Sequence, residues 1–253
     1  MSGWLRVIGL GPGPADWITP EASAALAAAS DIVGYRAYVS RVSASAEQCV
    51  HESDNGDELS RARHALELAQ RGRRVAVVSG GDPGVFAMSA AVFEALEAGP
   101  SEWRALDIAV LPGVTAMLAA AARLGAPLGN DFCAINLSDN LKPWSVIEQR
   151  LTLAARADFV IALYNPASRA RSEQIHAAFA LLRRERAPET VVVFAAAIGR
   201  ADEAVHVRRL ADADPALADM RTLVLIGARG TRCIERDGAA PFIYTPRGVS
   251  ESP

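Results

Sequence analysis

The sequence has few cysteines and no long apolar run. Its cysteines, Cys49, Cys133 and Cys233, stand far apart and form neither a CxxC pair nor another metal-ligand spacing. We therefore expect unpaired thiols in a reducing compartment, the cytoplasm, and no bound metal. No apolar stretch approaches the roughly 20 residues that cross a bilayer, and no basic segment followed by an apolar core opens the chain. This predicts neither a membrane segment nor a targeting sequence.

A strong charge of one sign is also missing. The formal net charge is −3, from 26 basic and 29 acidic residues, which gives no reason to expect nucleic acid or a membrane surface as partner. Lysine is almost absent, because Lys142 is the only one. The hydrophobic share of 51% in 253 residues is typical of a globular protein with one large domain or two modest ones.

The most informative stretch is Gly81-Asp82-Pro83, which follows the short apolar run 75–78. The run predicts a buried strand, and Asp82 and Pro83 suit the N-cap and the first position of a helix. Two glycines beside a carboxylate also suit a ligand-binding turn at the carboxyl end of a strand. A purely structural strand-to-helix turn is the alternative.

The first glycine-rich loop, Gly9 to Pro14, follows a predicted strand over 4–10. It fails as a dinucleotide site because Pro14 occupies the place of the last glycine in G-x-G-x-x-G. The prolines also delay the helix to Pro20, with Thr19 as its N-cap, and Asp31 precedes a strand instead of closing one. The loop suits a ligand without a pyrophosphate.

A third such turn, Pro112-Gly113, ends the strand predicted over 108–111. Strands that alternate with helices predict a parallel sheet, so the three turns should converge at one edge. Tyr35, Arg36 and Tyr38 also follow a strand, and they could stack on and pair with a flat anionic ligand or simply cover the core.

A second α/β pattern follows a predicted hinge at 125–129. Its predicted strands are 132–137, 159–163, 191–196, 205–208 and 223–226, the last two forming an antiparallel or mixed edge. Predicted helices cover 145–155 and 172–184. We expect an N-terminal domain over 1–115, a C-terminal domain over 116–237 and a tail over 238–253 that is partly disordered from about Arg236.

Several of these segments together resemble the tetrapyrrole (corrin/porphyrin) methylases. The matching pieces, in the family's order, are Gly9-Leu10-Gly11-Pro12-Gly13, Thr19, the segment 79–86 (Ser-Gly-Gly-Asp-Pro-Gly-Val-Phe), Pro112-Gly113-Val114-Thr115-Ala116 and the Gly199 turn. The resemblance implies two αβα domains with the active site in the cleft between them, usually in a homodimer. It also implies S-adenosyl-L-methionine as methyl donor, with S-adenosyl-L-homocysteine as product.

The resemblance also assigns site residues. The implied cofactor contacts are Pro12, Gly80, Gly81, Asp82, Val85, Thr115, Ala116, Tyr164, Asn165 and Gly199. Asn165-Pro166 stands where other members often carry methionine-glycine. Within the family, segments 33–38, 129–133, 137–139, 143–144 and 163–169 resemble the methylases that act at C17 of the corrin precursor precorrin-3B and contract its ring to give precorrin-4.

A tetrapyrrole substrate carries many carboxylates, which arginine and lysine bind. The candidates for substrate binding are Arg36, Arg41, Lys142, Arg169 and Arg171. Ring contraction needs proton transfer, for which the candidates are Tyr35, Asp131, Ser138 and Asp139. Each of these residues could instead be a cap or a solvated surface group.

Other functions stay open at this point. The nearest alternative is a sister methylase that acts at another carbon or on the cobalt-containing factor III substrate. A nicotinamide oxidoreductase is disfavoured by Pro14 and the late helix, and a non-catalytic carrier of corrin intermediates is the third alternative.

Overall fold

The structure, a computed structural model, describes residues 3–168 and 171–248. Arg169, predicted to bind the substrate, lies outside these residues, as does the end of the predicted tail. The chain divides into two compact units, Met1–Ala116 and Met117–Pro253. The division falls one residue beyond the domain boundary expected from the sequence.

The first unit is built on a parallel sheet. Its strands are β1 (Trp4–Gly9), β2 (Asp31–Tyr35), β3 (Cys49–Ser53), β4 (Arg74–Ser79) and β5 (Asp107–Leu111), in the order β3-β2-β4-β1-β5. Its helices are α1 (Pro20–Ala28), α2 (Arg36–Val39), α3 (Glu58–Gln70) and α4 (Met88–Ala98). The alternation of strands and helices predicted this sheet, except for β3, whose half-polar sequence suits an exposed edge.

Helices cover both faces of this sheet. On one face, Leu66 of α3 and Val92 of α4 pack in a buried cluster with Leu5 and Val77. On the other face, Ala22 of α1 packs with Ile8, Val78 and other buried residues. Because a parallel sheet must bury both faces, this layering follows from the predicted parallel sheet, and it is the αβα arrangement that the family resemblance implies.

Helix α1 begins as its sequence predicts. The Thr19 side chain accepts a hydrogen bond from the Ala22 amide at 3.1 Å, and Pro20 occupies the first helical position. Consequently the loop after β1 does not open directly into an α-helix, so it does not supply a helix N-terminus of its own to a pyrophosphate.

The second unit has a mixed sheet. Helix α5 (Ala116–Leu124) starts at the division, and the remaining elements are β6 (Gly125–Ala126), β7 (Phe132–Asn136), α6 (Trp144–Arg156), β8 (Val160–Tyr164), α7 (Glu173–Glu185), β9 (Val191–Ala196), β10 (Ala204–Arg209), β11 (Thr222–Ile226), β12 (Arg232–Arg236) and β13 (Ala239–Tyr244). The main sheet has the order β10-β9-β11-β8-β7. Helices α6 and α7 pack on one of its faces, with Ile147 and Phe179 fully buried.

The prediction that 223–226 forms an edge of the sheet is wrong, because β11 is a central strand. It lies between β8 and β9, antiparallel to both, and all its residues are buried. Strand β10 does form an antiparallel edge. A run such as Leu-Val-Leu-Ile has no alternation of polar and apolar residues, which favours a central position.

The C-terminal segment is more ordered than the sequence predicted. Strands β12 and β13 form a hairpin, and β13 pairs in parallel with β6, so that Ile243 lies opposite Gly125. Ile243 is buried. The predicted disorder from Arg236 is therefore wrong as far as Tyr244, and the predicted hinge at 125–129 contributes a short strand. Among the described residues, no helix is long and apolar enough to cross a membrane.

Candidate active site

The carboxyl edge of the first sheet joins two of the glycine loops through their backbones. Gly9 at the end of β1 lies opposite Ser79 at the end of β4, so the two loops emerge side by side. The Gly11 amide donates to the Gly81 carbonyl at 3.1 Å, and the Gly81 amide donates back to the Gly11 carbonyl at 3.0 Å. This reciprocal pair is an isolated antiparallel bridge beyond the ends of the two parallel strands, and it joins both loops.

The third loop, after β5, packs against the same pair without any side chain between them. A Cβ atom added to Gly113 would lie 2.4 Å from the Gly81 carbonyl oxygen and 2.9 Å from the Gly9 Cα. One added to Gly9 would lie 2.6 Å from the Gly113 nitrogen. Since real Cβ atoms do not approach so closely, these positions require glycine. The convergence predicted for the three turns is thus present within this unit.

Asp82 ties the second loop to the third. Its carboxylate accepts one hydrogen bond from the Gly84 amide at 2.8 Å and another from the Gly113 amide at 3.0 Å. Helix α4 begins only at Met88, so the predicted role of Asp82 as a helix N-cap is wrong. Residues 83–87 form turns instead. The Asp82 carboxylate therefore accepts hydrogen bonds from loop amides and does not cap a helix.

The segment between β4 and α4 holds unusual backbone conformations. Gly81 has φ of +69°, and Phe86 has φ of 54° although it is not a glycine. The Phe86 side chain is 47% exposed, so burial of its ring does not explain the conformation. Strained residues of this kind cluster at ligand-binding sites. Phe86 was not predicted as a site residue, and a positive φ has no signal in the sequence.

The residues after β2 surround these loops. The rings of Tyr35 and Tyr38 meet edge to face at 5.4 Å between centroids. Tyr38 also explains why position 80 is a glycine, because a Cβ atom at Gly80 would lie 2.6 Å from the Tyr38 ring. Arg41 donates to the Leu10 and Gly13 carbonyls at 2.9 and 3.0 Å, so its guanidinium supports the first loop.

Arg36 is more exposed and forms ion pairs with acidic groups. Its guanidinium lies 3.4 Å from the Glu52 carboxylate and 3.6 Å from that of Asp54, and its side chain is 66% exposed. Ion pairs between solvent-exposed side chains such as these are weak. An anionic ligand could therefore displace them at little cost.

Thr115 and Ala116 follow the third loop directly. Thr115 is buried, although its side chain is polar. The Thr115 Cα lies 3.9 Å from the position that a Cβ on Gly81 would take. Val85 is also close to this region, because its amide donates to the Asp82 carbonyl at 3.3 Å.

The carboxyl edge of the second sheet is held by an amide side chain that the sequence analysis missed. Asn136, the last residue of β7, accepts at Oδ1 from the Ser138 amide at 2.8 Å and from the Asn165 side chain at 3.1 Å. Asn165 follows β8 and has φ of 49°. The only sign of this role in the sequence is a polar residue at the end of an apolar strand. Such a position does not reveal that Asn136 accepts hydrogen bonds from both Ser138 and Asn165.

Other residues assigned by resemblance lie at the same edge of this sheet. The Tyr164 hydroxyl accepts from the Met117 amide at 3.1 Å. Gly199, after β9, has φ of +78° and donates its amide to the Glu203 carboxylate at 2.7 Å. Arg171 lies near the Asn165 carbonyl, at 3.5 Å.

Ser138, Asp139 and Lys142 form the loop after β7. The Lys142 ammonium donates to the Ser138 carbonyl at 3.2 Å, and the Asp139 carboxylate accepts from Gln174 at 2.9 Å. Asp131 does not belong with them, because it precedes β7 and lies at the opposite end of that strand. At about 3.3 Å per residue, seven residues separate Asp131 from Ser138 by roughly 20 Å. Asp131 and Ser138 therefore lie at opposite ends of β7, and Asp131 stays a separate candidate for proton transfer.

Comparison with known proteins identifies the family of the chain. Residues 5–214 match the family model described as tetrapyrrole (corrin/porphyrin) methylases. The chain belongs to the tetrapyrrole methylases. This confirms the resemblance carried by the glycine loops and the Gly199 turn.

Individual relatives are similar over nearly the whole chain. The precorrin-3B C(17)-methyltransferase of a Sinorhizobium species is 55% identical over 98% of this chain and 97% of its own. The probable cobalt-factor III C(17)-methyltransferase of Salmonella typhimurium is 41% identical over 97% of this chain and 99% of its own. The CobIJ protein of Mycobacterium tuberculosis is 47% identical, and this chain spans 49% of its length.

Solved structures confirm the α/β fold. The crystal structure of the methyltransferase CobJ matches with a TM-score of 0.92 and 55% identity, over 97% of this chain and 100% of its own. A uroporphyrin-III C-methyltransferase from Thermus thermophilus, complexed with S-adenyl homocysteine, matches with a TM-score of 0.67 at 22% identity over 89% of this chain and 97% of its own. That last likeness concerns the fold alone.

Proposed function

We propose that this protein is an S-adenosylmethionine-dependent methyltransferase of cobalamin biosynthesis. It transfers a methyl group to C17 of precorrin-3B, with ring contraction to precorrin-4, and releases S-adenosylhomocysteine. The observation that carries this proposal is the 55% identity over 98% of the chain to a precorrin-3B C(17)-methyltransferase. Identity spread over both units supports the same reaction as well as the same fold.

The glycine loops of the first unit fit such a methyl donor. When bound, S-adenosylmethionine supplies an electrophilic methyl group on a sulfonium cation, and it carries no phosphate. The loops offer backbone groups and the buried Thr115 side chain, and no helix N-terminus opens from the first loop. The Arg41 guanidinium, the cation beside the first loop, is directed to the Leu10 and Gly13 carbonyls. The other carbonyl dipoles of the glycine turns suit a sulfonium.

The task of the chain in methyl transfer is mainly alignment. An in-line displacement needs the two reacting carbons held at a fixed distance and angle, which rigid backbone loops provide. Asp82 contributes by holding the Gly113 loop. We propose direct cofactor contacts for Pro12, Gly80, Gly81, Val85, Thr115 and Ala116 in the first unit and for Tyr164, Asn165 and Gly199 in the second. Because both Asp82 oxygens bind backbone amides, we propose that Asp82 positions this site.

The carboxylates of the substrate need cationic partners. Arg36 is the best placed in the first unit, since its pairs with Glu52 and Asp54 are long and exposed. Lys142 and Arg171 are candidates in the second unit, and Arg41 is already engaged by loop carbonyls. Candidates for the proton transfers of ring contraction are still Tyr35, Ser138, Asp139 and, at the other end of β7, Asp131.

A cobalt-containing substrate is the second candidate. The observation in its favour is the 41% identity to a probable cobalt-factor III C(17)-methyltransferase over nearly the full length of both chains. The higher identity to the precorrin-3B enzyme favours the metal-free substrate. We also propose that the protein acts in the cytoplasm as a homodimer, which its free cysteines and the family resemblance support.

The proposal is tested by incubating the purified protein with methyl-¹³C donor and either precorrin-3B or cobalt-factor III. We expect one labelled methyl group per product molecule, carried on C17 in the ¹³C NMR spectrum, and faster turnover with precorrin-3B. Label at another carbon would indicate a sister methylase. Binding of the macrocycle without formation of S-adenosylhomocysteine would indicate a carrier and contradict the proposal.

A further inference from the structure

Two histidines of the first unit face each other away from the glycine loops. His51 on β3 and His64 on α3 bring their ring nitrogens Nδ1 and Nε2, respectively, within 3.1 Å of each other. The ring centroids are 4.9 Å apart, and the ring planes are inclined by 60°. Both rings line a surface cavity of about 520 Å³, whose described lining includes none of the residues proposed to contact the methyl donor.

A buried carboxylate determines which nitrogen of His51 carries a proton. Asp31 is 2% exposed, and its Oδ1 lies 2.9 Å from His51 Nε2. Its Oδ2 accepts hydrogen bonds from the Arg73 guanidinium and the Ser30 hydroxyl, both at 2.7 Å, so the carboxylate is ionised and acts as an acceptor. His51 therefore carries a proton on Nε2. In the neutral ring this leaves Nδ1 with a free lone pair, on the side that faces His64.

This arrangement is typical of a metal-binding histidine, whose second ring nitrogen donates to a carboxylate that orients the ring. With metal–nitrogen bonds of about 2.05 Å, two nitrogens 3.1 Å apart subtend an angle of about 98° at the metal. That angle lies between the angles of square-planar and tetrahedral sites. His64 is exposed, so its ring can turn to direct the Nε2 lone pair at the ion, in the tautomer protonated at Nδ1.

The charges around the cavity favour a cation. The carboxylates of Glu52 and Asp57 line it, together with one guanidinium, that of Arg61. Glu52 also pairs with Arg36, but at 3.4 Å and between exposed side chains, so this pair is weak. The two imidazole rings therefore have more acidic than basic groups around their cavity.

We propose that His51 Nδ1 and His64 Nε2 bind one divalent transition-metal ion, with water completing its coordination. Imidazole nitrogen suits zinc, nickel and copper, whereas magnesium and calcium prefer oxygen ligands. Within the part of the chain that the structure describes, no group of three or more His, Cys, Asp or Glu side chains is placed to hold a metal. The site thus has two protein ligands and is open to solvent. Cysteine spacing, from which we expected no metal, carries no information about it.

A metal ion held by both histidines ties β3 to α3. Strand β3 is at the edge of its sheet and pairs with β2 alone, so a second attachment holds it more firmly. Since the two ligands come together only in the folded chain, the ion also raises the stability of the folded state. The inference does not rest on the proposed function, because neither histidine is assigned to the methyl donor or the macrocycle.

Calorimetric titration of the full chain with Zn²⁺ tests the site. We expect one ion to bind per chain, and this binding to be lost in His51→Gln and in His64→Gln. Asp31→Asn should weaken it by about 10–100-fold, the usual effect of removing a carboxylate that orients a metal ligand. His176→Gln and His206→Gln change the histidines of the second unit and are the matched controls, with wild-type affinity expected.

His64→Gln is the deciding variant, because the side chain is exposed and its loss should leave the metal-free melting temperature close to that of the wild type. We expect Zn²⁺ to raise the melting temperature of the wild type and not that of His64→Gln. With Cu²⁺ as the probe, the electron paramagnetic resonance spectrum should show splitting from two nitrogens, reduced to one in His64→Gln.

Equal Zn²⁺ affinity in the wild type and His64→Gln would overturn the inference, as would absence of binding in the wild type. Loss of binding only in His176→Gln or His206→Gln would place the ion elsewhere and overturn it too. All of these outcomes leave the methyl-transfer assay unaffected, so failure of this inference is distinguishable from failure of the proposed function.

Discussion

At the carboxyl edge of the first sheet, backbone packs directly on backbone, because Gly9 and Gly113 leave no room for a Cβ atom, and Gly81 has a φ of +69°. At the carboxyl edge of the second sheet, the side chains of Asn136, Tyr164 and Glu203 hold the loops instead. The first arrangement gives a rigid surface of amides and carbonyls, suited to one small ligand. The second offers more varied groups, including the Lys142 ammonium and the Asp139 carboxylate, suited to polar contacts with a larger one.

The two edges should respond differently to small substitutions, and the largest effect is expected at Gly113. In Gly113→Ala the new methyl group would lie 2.4 Å from the Gly81 carbonyl, so the loops must separate. We expect a loss of roughly 3 kcal/mol or more in the free energy of unfolding and no measurable affinity for S-adenosylhomocysteine. Denaturant unfolding and calorimetry measure both.

Gly230→Ala is the control for that substitution. A methyl group there would meet only Pro246 Cδ at 3.9 Å, so stability and binding should be close to those of the wild type. Equal behaviour of the two variants would contradict the close packing of the first edge.

Asp82→Ala should have the next largest effect, because it removes the carboxylate that the Gly84 and Gly113 amides share. We expect a loss of roughly 2–3 kcal/mol in unfolding free energy, the range for charge-assisted hydrogen bonds. Asp82→Asn keeps one acceptor oxygen and should retain part of the stability. Thermal unfolding distinguishes them, and an unstable Asn variant beside a stable Ala variant would contradict this role.

Asn136→Ala tests the second edge. It removes the acceptor of the Ser138 amide and the Asn165 side chain, for which we expect a loss of about 1–2 kcal/mol. Because the backbone there does not depend on close packing, the variant should fold and bind S-adenosylhomocysteine more weakly. Loss of folding, as in Gly113→Ala, would mean that the two edges do not differ as described.

The smallest effect on stability is expected for Arg36→Gln. The ion pairs of Arg36 with Glu52 and Asp54 are exposed, and such pairs contribute about 0–1 kcal/mol. If Arg36 binds a substrate carboxylate, KM for the macrocycle should rise while the melting temperature stays nearly constant. A shift in melting temperature with unchanged KM would assign Arg36 to the fold alone.

The first edge could be predicted from the sequence far better than the second. Glycines after apolar strands indicate where the backbone must approach closely, and parallel pairing brings such positions to one edge. The role of Asp82 was misjudged because Asp-Pro is an ordinary helix start, and nothing local shows that its oxygens reach the Gly113 amide. Asn136 and the position of Asp131 depend on where β7 begins and ends, which periodicity does not fix to the residue.

The central claim is that the three glycine loops of the first unit hold the methyl donor. Hydrogen exchange of the full chain with and without S-adenosylhomocysteine tests it most directly. We predict slower exchange in peptides covering 9–13, 80–85 and 113–116, and unchanged exchange in β3 and the hairpin of β12 and β13. Protection confined to other peptides, with these three unaffected, would contradict the account.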